Sequence, residues 1–189
     1  MDIDWTIAAA LGFPKRQYTA VERERRWLCR EVPRASIRQT LSVEDLYVEG
    51  TRLRLREMRP TDGGSALLRL SRKADMDERT RLITSIYLPE AEFAVLAAAL
   101  QGLRISKIRH RLHAPAGVLL SVDEFQGALS GLVLAEAEFQ TAEQLATFPD
   151  PDFALREVTD EPEYTGVWLA THGMPKESAT RPGSGARHE

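Results

Sequence analysis

Residues 50–73 read GTRLRLREMRPTDGGSALLRLSRK, and this stretch decides the fold. Arg52, Arg54 and Arg56 alternate with Leu53 and Leu55, the period of a β-strand with one basic and one apolar face. The Pro/Asp/Gly cluster PTDGG then turns the chain, and residues 66–73 resume the alternation, with Ser71 and Lys73 on one face. Seven bases stand here against two acids, Glu57 and Asp62.

Working outward, the same period recurs on both sides. Residues 19–30 read as a strand that places Glu22, Glu24 and Arg26 on one face, and 43–58 as two strands around Glu49-Gly50. Between them, after Pro33, SIRQTL reads as a short helical turn or an irregular link. Strands are expected at 80–88, 104–112, 117–125 and 131–139; Lys107, Arg109 and Arg111 share a face, and so do Glu136 and Glu138. The period changes at Pro89, where PEAEFAVLAAALQG predicts a helix ending at Gly102. A second, shorter helix opens at Thr141, with Gln144 placed to complete a capping box. Residues 1–18 form an arm with Trp5, Ile7, Leu11 and Phe13 as its anchors, 19–172 the domain, and 173–189 a disordered tail. Eight strands and two helices predict an α+β domain dominated by antiparallel sheet.

The 189 residues carry 25 Lys+Arg and 28 Asp+Glu, but the near balance hides segregation. Residues 104–113 hold four bases and no acid, whereas 120–163 hold eleven acids and one base, Arg156. No apolar run is long enough to span a bilayer, one cysteine cannot form an internal disulfide, and the N-terminus lacks a secretory signal's basic region. A cytoplasmic protein without membrane partners is expected. Nucleic acid is not an expected partner either, because no aromatic-interleaved motif accompanies the basic stretch. His110 alternates off the basic face of its strand and reads as packed; Cys29 and Trp27 read as core.

Two architectures produce such faces. Each strand can turn its charged side to water, or a barrel can turn its apolar side to covering helices and line its lumen with charge. A lumen of that kind offers carboxylates to a hard cation and arginines to phosphate oxygens.

The ordered motifs resemble the CYTH domain, or triphosphate tunnel metalloenzyme, family. Glu22-Arg23-Glu24-Arg25-Arg26 is similar to the family's E-x-E-x-K opening, with Arg for Lys. Leu53 to Arg56 resembles the basic strand, Leu70-Ser71-Arg72-Lys73 the L-T-x-K strand, and Lys107-Ile108-Arg109 the K-x-R strand. Val122 to Phe125 resembles the D-x-F strand, Leu134 to Phe139 the E-x-E strand, and Glu157-Val158-Thr159 with Tyr164 the closing segment. The resemblance covers residues 20–170 and departs from the family at Ile83 and Ser85, where many members carry glutamates.

The resemblance implies an eight-stranded antiparallel barrel and a substrate carrying a triphosphate. It implies that Glu22, Glu24, Glu136 and Glu138, with Asp123 beside them, hold Mg²⁺ or Mn²⁺. It implies that Arg26, Arg54, Arg56, Lys73, Lys107 and Arg109 grip phosphates, with Glu22, Glu24, Arg26 and Lys73 at the reacting centre. Hydrolysis of inorganic triphosphate or a small organic triphosphate is the expected activity; cyclisation of ATP to cyclic AMP and non-catalytic binding are the alternatives. A homodimer is expected from the family.

Overall fold

The computed structural model describes residues 3–176. Nine strands follow in chain order: β1 (Ala20–Cys29), β2 (Ile37–Val48), β3 (Leu53–Pro60), β4 (Leu67–Asp75), β5 (Thr80–Tyr87), β6 (Gly102–Leu112), β7 (Val118–Phe125), β8 (Val133–Phe139) and β9 (Ala154–Glu157). All pairings are antiparallel, in the order β5-β4-β3-β2-β6-β7-β8-β1, and β1 pairs back onto β5 to close an eight-stranded barrel. β1 reaches β5 only through Ala20 to Arg23; its far half pairs instead with β9, through Trp27 to Cys29.

Register fixes which side chains look inward, because directly paired residues share a face. Arg26↔Glu136, Glu24↔Glu138 and Glu22↔Arg81 put the charged side of β1 toward the same space as Arg109↔Asp123 on β6 and β7. The opposite faces are apolar. Trp27, Ala135, Ala137 and Phe139 are covered from outside by Leu145 of α3 (Ala142–Thr147) and by Phe148 and Phe153. Ala74 and Leu82 are covered by Ala8 of α1 (Trp5–Ala10) and by Phe13. Burial of these side chains provides the main drive for barrel closure.

One end of the lumen is filled. Ile105, Phe125 and Leu134 pack there against Tyr164 and against Leu169 of α4 (Gly166–His172). Tyr47 lies against this plug so closely that a Cβ on Gly166 would stand 1.9 Å from its hydroxyl.

The structure corrects four expectations. SIRQTL is not a link: the 3₁₀ turn is confined to Arg34–Ser36, and Ile37 onward extends β2 because β6 pairs with it from Leu112 to Gly102. The helix after Pro89, α2 (Glu90–Ala99), stops short of Gly102, which instead opens β6. Glycine is required at that position by contact, since a Cβ there would meet the Tyr47 carbonyl oxygen at 2.0 Å. In the arm, Phe13 is buried and Trp5 and Leu11 pack beside it as expected, but Ala8 takes the place of Ile7, which is 50% exposed. Finally, β9 and α4 form where only a closing segment was expected. The capping box forms as expected, with Gln144 N donating to Thr141 Oγ1 at 3.1 Å and Gln144 Oε1 accepting from Thr141 N at 3.2 Å. Most of the expected tail, 177–189, lies outside the described residues.

Candidate active site

The lumen is a cavity of about 1070 Å³, at the upper end of small-molecule sites. Ten of the eleven residues singled out from sequence line it: Glu22, Glu24 and Arg26 from β1, Arg54 and Arg56 from β3, Lys73 from β4, Lys107 and Arg109 from β6, Glu136 and Glu138 from β8. The eleventh, Asp123 on β7, is buried behind Lys107 and Arg109.

The charges fall into linked groups. Lys73 Nζ donates to Glu22 Oε2 at 2.5 Å. Glu24 accepts from both Arg26 and Arg81. Glu136 accepts from Arg109 Nη2 at 2.5 Å and lies 3.5 Å from Arg26 Nε. Asp123 accepts from Arg109 Nε and Nη2, each at 2.7 Å, and from Lys107 Nζ at 2.5 Å. Asp123, behind the lumen wall, has both oxygens committed to Lys107 and Arg109, whereas Glu22, Glu24 and Glu136 each meet cationic side chains at the cavity itself. Asp123 and Glu136 thereby hold Lys107, Arg109 and Arg26 in place.

Burial and charge act against each other throughout. Glu136 is penalised by burial, yet Arg109, Lys107 and Arg26 hold its carboxyl well below the usual range. Burial likewise opposes ionisation of Glu22, and Lys73 and Arg54 overcome it. Lys73 moves down in turn, because burial and Arg54 outweigh Glu22. Glu138 differs from its neighbours. Burial and then the charge of Glu22 push its carboxyl up, and it has no ion pair or hydrogen bond among the described residues.

Two lumen residues, Arg69 and Arg81, and one buried acid behind the wall, Asp45, were missed from sequence. Asp45 on β2 is 1% exposed and takes a bidentate pair from Arg56, with Nε at 2.5 Å and Nη2 at 2.6 Å; Arg54 Nε stands 3.5 Å away. Arg81 on β5 bridges Glu24 to Asp75. Arg69 on β4 shares the face of Ser71 and Lys73, and its i, i+2 spacing was the available signal. Asp45 alternates with Val43 and Tyr47, so an acid on an otherwise apolar face could have marked it.

Not all the hydrogen-bonding capacity is used. Arg26 Nη1, Arg54 Nε and Nη2, and Arg69 Nε are buried donors with no acceptor. Donors in that state are costly, and an anion in the lumen would satisfy them.

No family model matches the chain. An inorganic triphosphatase of Nitrosomonas europaea is 34% identical over 85 residues, 45% of this chain and 56% of the relative. The match thus spans little more than half the length of that curated relative. A crystal structure of the inorganic triphosphatase NE1496 superposes over 79% of this chain and 93% of its own, with TM-score 0.53 and 26% identity. The PH1819 protein from Pyrococcus horikoshii OT3 superposes over 66% of this chain and 82% of its own at TM-score 0.52; at 20% identity it supports the fold alone. The partial sequence match and the shared barrel support assignment to the triphosphate tunnel family.

Assignment to a metalloenzyme family implies a divalent cation, and the residues of this lumen fit one. Glu22, Glu24 and Glu138 supply carboxylate oxygens, the donors that hard divalent cations take. The strongest observation for the fit is Glu138 itself, a lumen carboxylate paired across the sheet with Glu24 that makes no ion pair among the described residues. No three-carboxylate cluster is preformed among the described residues, because Lys73, Arg26 and Arg81 occupy the other two. No helix among the described residues is long and apolar enough to cross a membrane.

Proposed function

We propose that this chain hydrolyses inorganic triphosphate, or a small organic triphosphate, inside its tunnel, with Mg²⁺ or Mn²⁺ and in the cytoplasm. The observation that carries the reading is the coexistence, in one cavity, of buried guanidinium donors without acceptors and, at Glu138, a carboxylate without an ion pair among the described residues. A phosphate chain bearing a divalent cation supplies both missing partners at once. The similarity to an inorganic triphosphatase supports the same reading.

In this account Glu22, Glu24 and Glu138 would hold the cation, which when bound neutralises non-bridging oxygens and lowers the pKa of a coordinated water. Arg26, Arg54, Lys73, Lys107 and Arg109 bind phosphate oxygens. Lys107 and Arg109 are fixed for that task by Asp123, while Asp45 fixes Arg56 at the wall. The fork of an arginine held on one side by a carboxylate presents its other edge in a set direction. Lys73, bonded to Glu22, stands where phosphate and carboxylate groups meet and holds its proton between them. The charged wall orients the chain before reaction, which is the principal demand of phosphoryl transfer.

The direct test is phosphate release from tripolyphosphate with Mg²⁺ or Mn²⁺, and again with the cation chelated. Cation-dependent release is expected. Cyclic AMP formed from ATP would place the chain among cyclases, and tight binding without turnover would make it a binder; either result rejects the proposal.

A further inference from the structure

Arg81 stands between a buried acid and an exposed one. Its register partners are Glu22 on β1 and Asp75 on β4, so the three share the lumen face of the sheet. Its Nη1 closes on Oε1 of Glu24, whose side chain is 5% exposed. Its Nε donates at 2.5 Å to Oδ1 of Asp75, whose side chain is 70% exposed. Arg26 Nη2 donates to the same oxygen of Glu24, so two guanidiniums crowd one carboxylate.

Three bases sit on Glu22 and Glu24, and they differ in where else they can go. Lys73 has no second carboxylate among the described residues. Arg26 is 2% exposed, and its other partner, Glu136, lies in the lumen as well. Arg81 has Asp75 at the rim and space beside it. A second cavity, of about 320 Å³, adjoins the tunnel there, and Asp75 and Arg81 line both. Asp77, Glu78 and Asp160 also line this smaller cavity, and Arg81 is the single base in its lining. A guanidinium that leaves Glu24 in that direction keeps Asp75 and approaches further acids.

We infer that Arg81 is a resident counter-ion of Glu24 that a divalent cation displaces toward Asp75, and that it thereby sets how tightly the tunnel holds its cation. The inference rests on the hydrolysis reading, in which Glu22, Glu24 and Glu138 bind that cation. A guanidinium and a divalent ion on one carboxylate repel each other. The cation affinity that is measured is then the intrinsic affinity multiplied by the fraction of chains in which Arg81 has left Glu24.

Calorimetry of Mn²⁺ binding to the full chain, with no phosphate compound present, separates this from turnover. Arg81→Gln is expected to bind Mn²⁺ at least tenfold more tightly than the wild type. Asp75→Asn removes the acceptor that receives Arg81, and at least threefold weaker binding is expected. Arg52→Gln takes the same charge from a lumen arginine that has no ion pair among the described residues, and a change below twofold is expected. Unchanged or weaker binding in Arg81→Gln overturns the inference, since Arg81 would then only orient Glu24. Equal tightening in Arg52→Gln also overturns it, because the general field would suffice. Should Arg81→Gln fail to fold, Asp75→Asn decides, and unchanged or tighter binding there overturns the displacement. Absence of Mn²⁺ binding in the wild type and every variant overturns the inference as well. Phosphate release from tripolyphosphate in the same wild-type samples then shows whether the hydrolysis reading stands or falls with it.

Discussion

Glu24 and Glu138 sit directly opposite each other across the β1–β8 pairing, and only one of them is neutralised. Arg26 and Arg81 both close on Glu24, while Glu138 faces Glu22 and makes no ion pair among the described residues, Lys73 and Arg109 acting on it only from farther off. Carboxylates placed together in this way disfavour ionisation of one of them. The asymmetry identifies where positive charge is still wanted.

Glu138→Gln tests this through stability. A carboxyl raised in the folded state contributes stability below its unfolded pKa of about 4.5, and loses it as pH climbs through the raised value. Without divalent cation, the variant should therefore match the wild type near pH 4 and melt above it at pH 7, by a few degrees for about 1 kcal/mol. Added Mn²⁺ should stabilise the wild type and leave the variant unmoved. Equal melting at both pH values would remove Glu138 from the cation site.

Asp45 has the opposite role. Asp45→Asn deletes a charge that two buried arginines rely on, which costs about 3–5 kcal/mol. Denaturant titration should show that loss as a lower midpoint with unchanged slope. A loss below about 1 kcal/mol would mean that water or another carboxylate reaches Arg56.

The plug depends on a missing side chain. Gly166→Ala brings a methyl group to 1.9 Å from the Tyr47 hydroxyl and 2.9 Å from its Cζ, and overpacking of this kind costs about 1–3 kcal/mol. Adding Tyr47→Phe removes the nearer contact and should restore part of the loss, measured as a double-mutant cycle. Strictly additive effects would show that the two residues do not meet.

Glu136→Ala should abolish phosphate release, because Arg109 and Arg26 then lose a carboxylate that holds them in the lumen. Near-wild-type turnover would show that the remaining network positions those arginines by itself.

The strand period carried much of the fold before any coordinates. Alternation at 19–30, 50–73, 104–112 and 131–139 is forced by side chains that point to opposite faces, so the charged faces holding the ten lumen residues could be read from it, and the family resemblance placed those faces in a lumen. What the period could not supply was which face lay inside, since charge on a strand is equally at home in water. Register decided that, and register depends on partners distant in sequence, such as Arg26 with Glu136. The start of β2 was hidden because Ile37 to Leu41 becomes a strand through pairing with β6 rather than through its own pattern. Asp45 and Arg81 were passed over for a related reason: each is the single charge on its face of the strand, meaningful only beside Arg56 or Glu24.

The most direct measurement is ³¹P NMR of tripolyphosphate incubated with the chain and Mg²⁺. The account predicts that the central phosphorus signal disappears as pyrophosphate and phosphate signals rise in equal amounts, and that chelation stops the conversion. Signals that shift or broaden with protein, yet persist without products while Mg²⁺ is present, would contradict it.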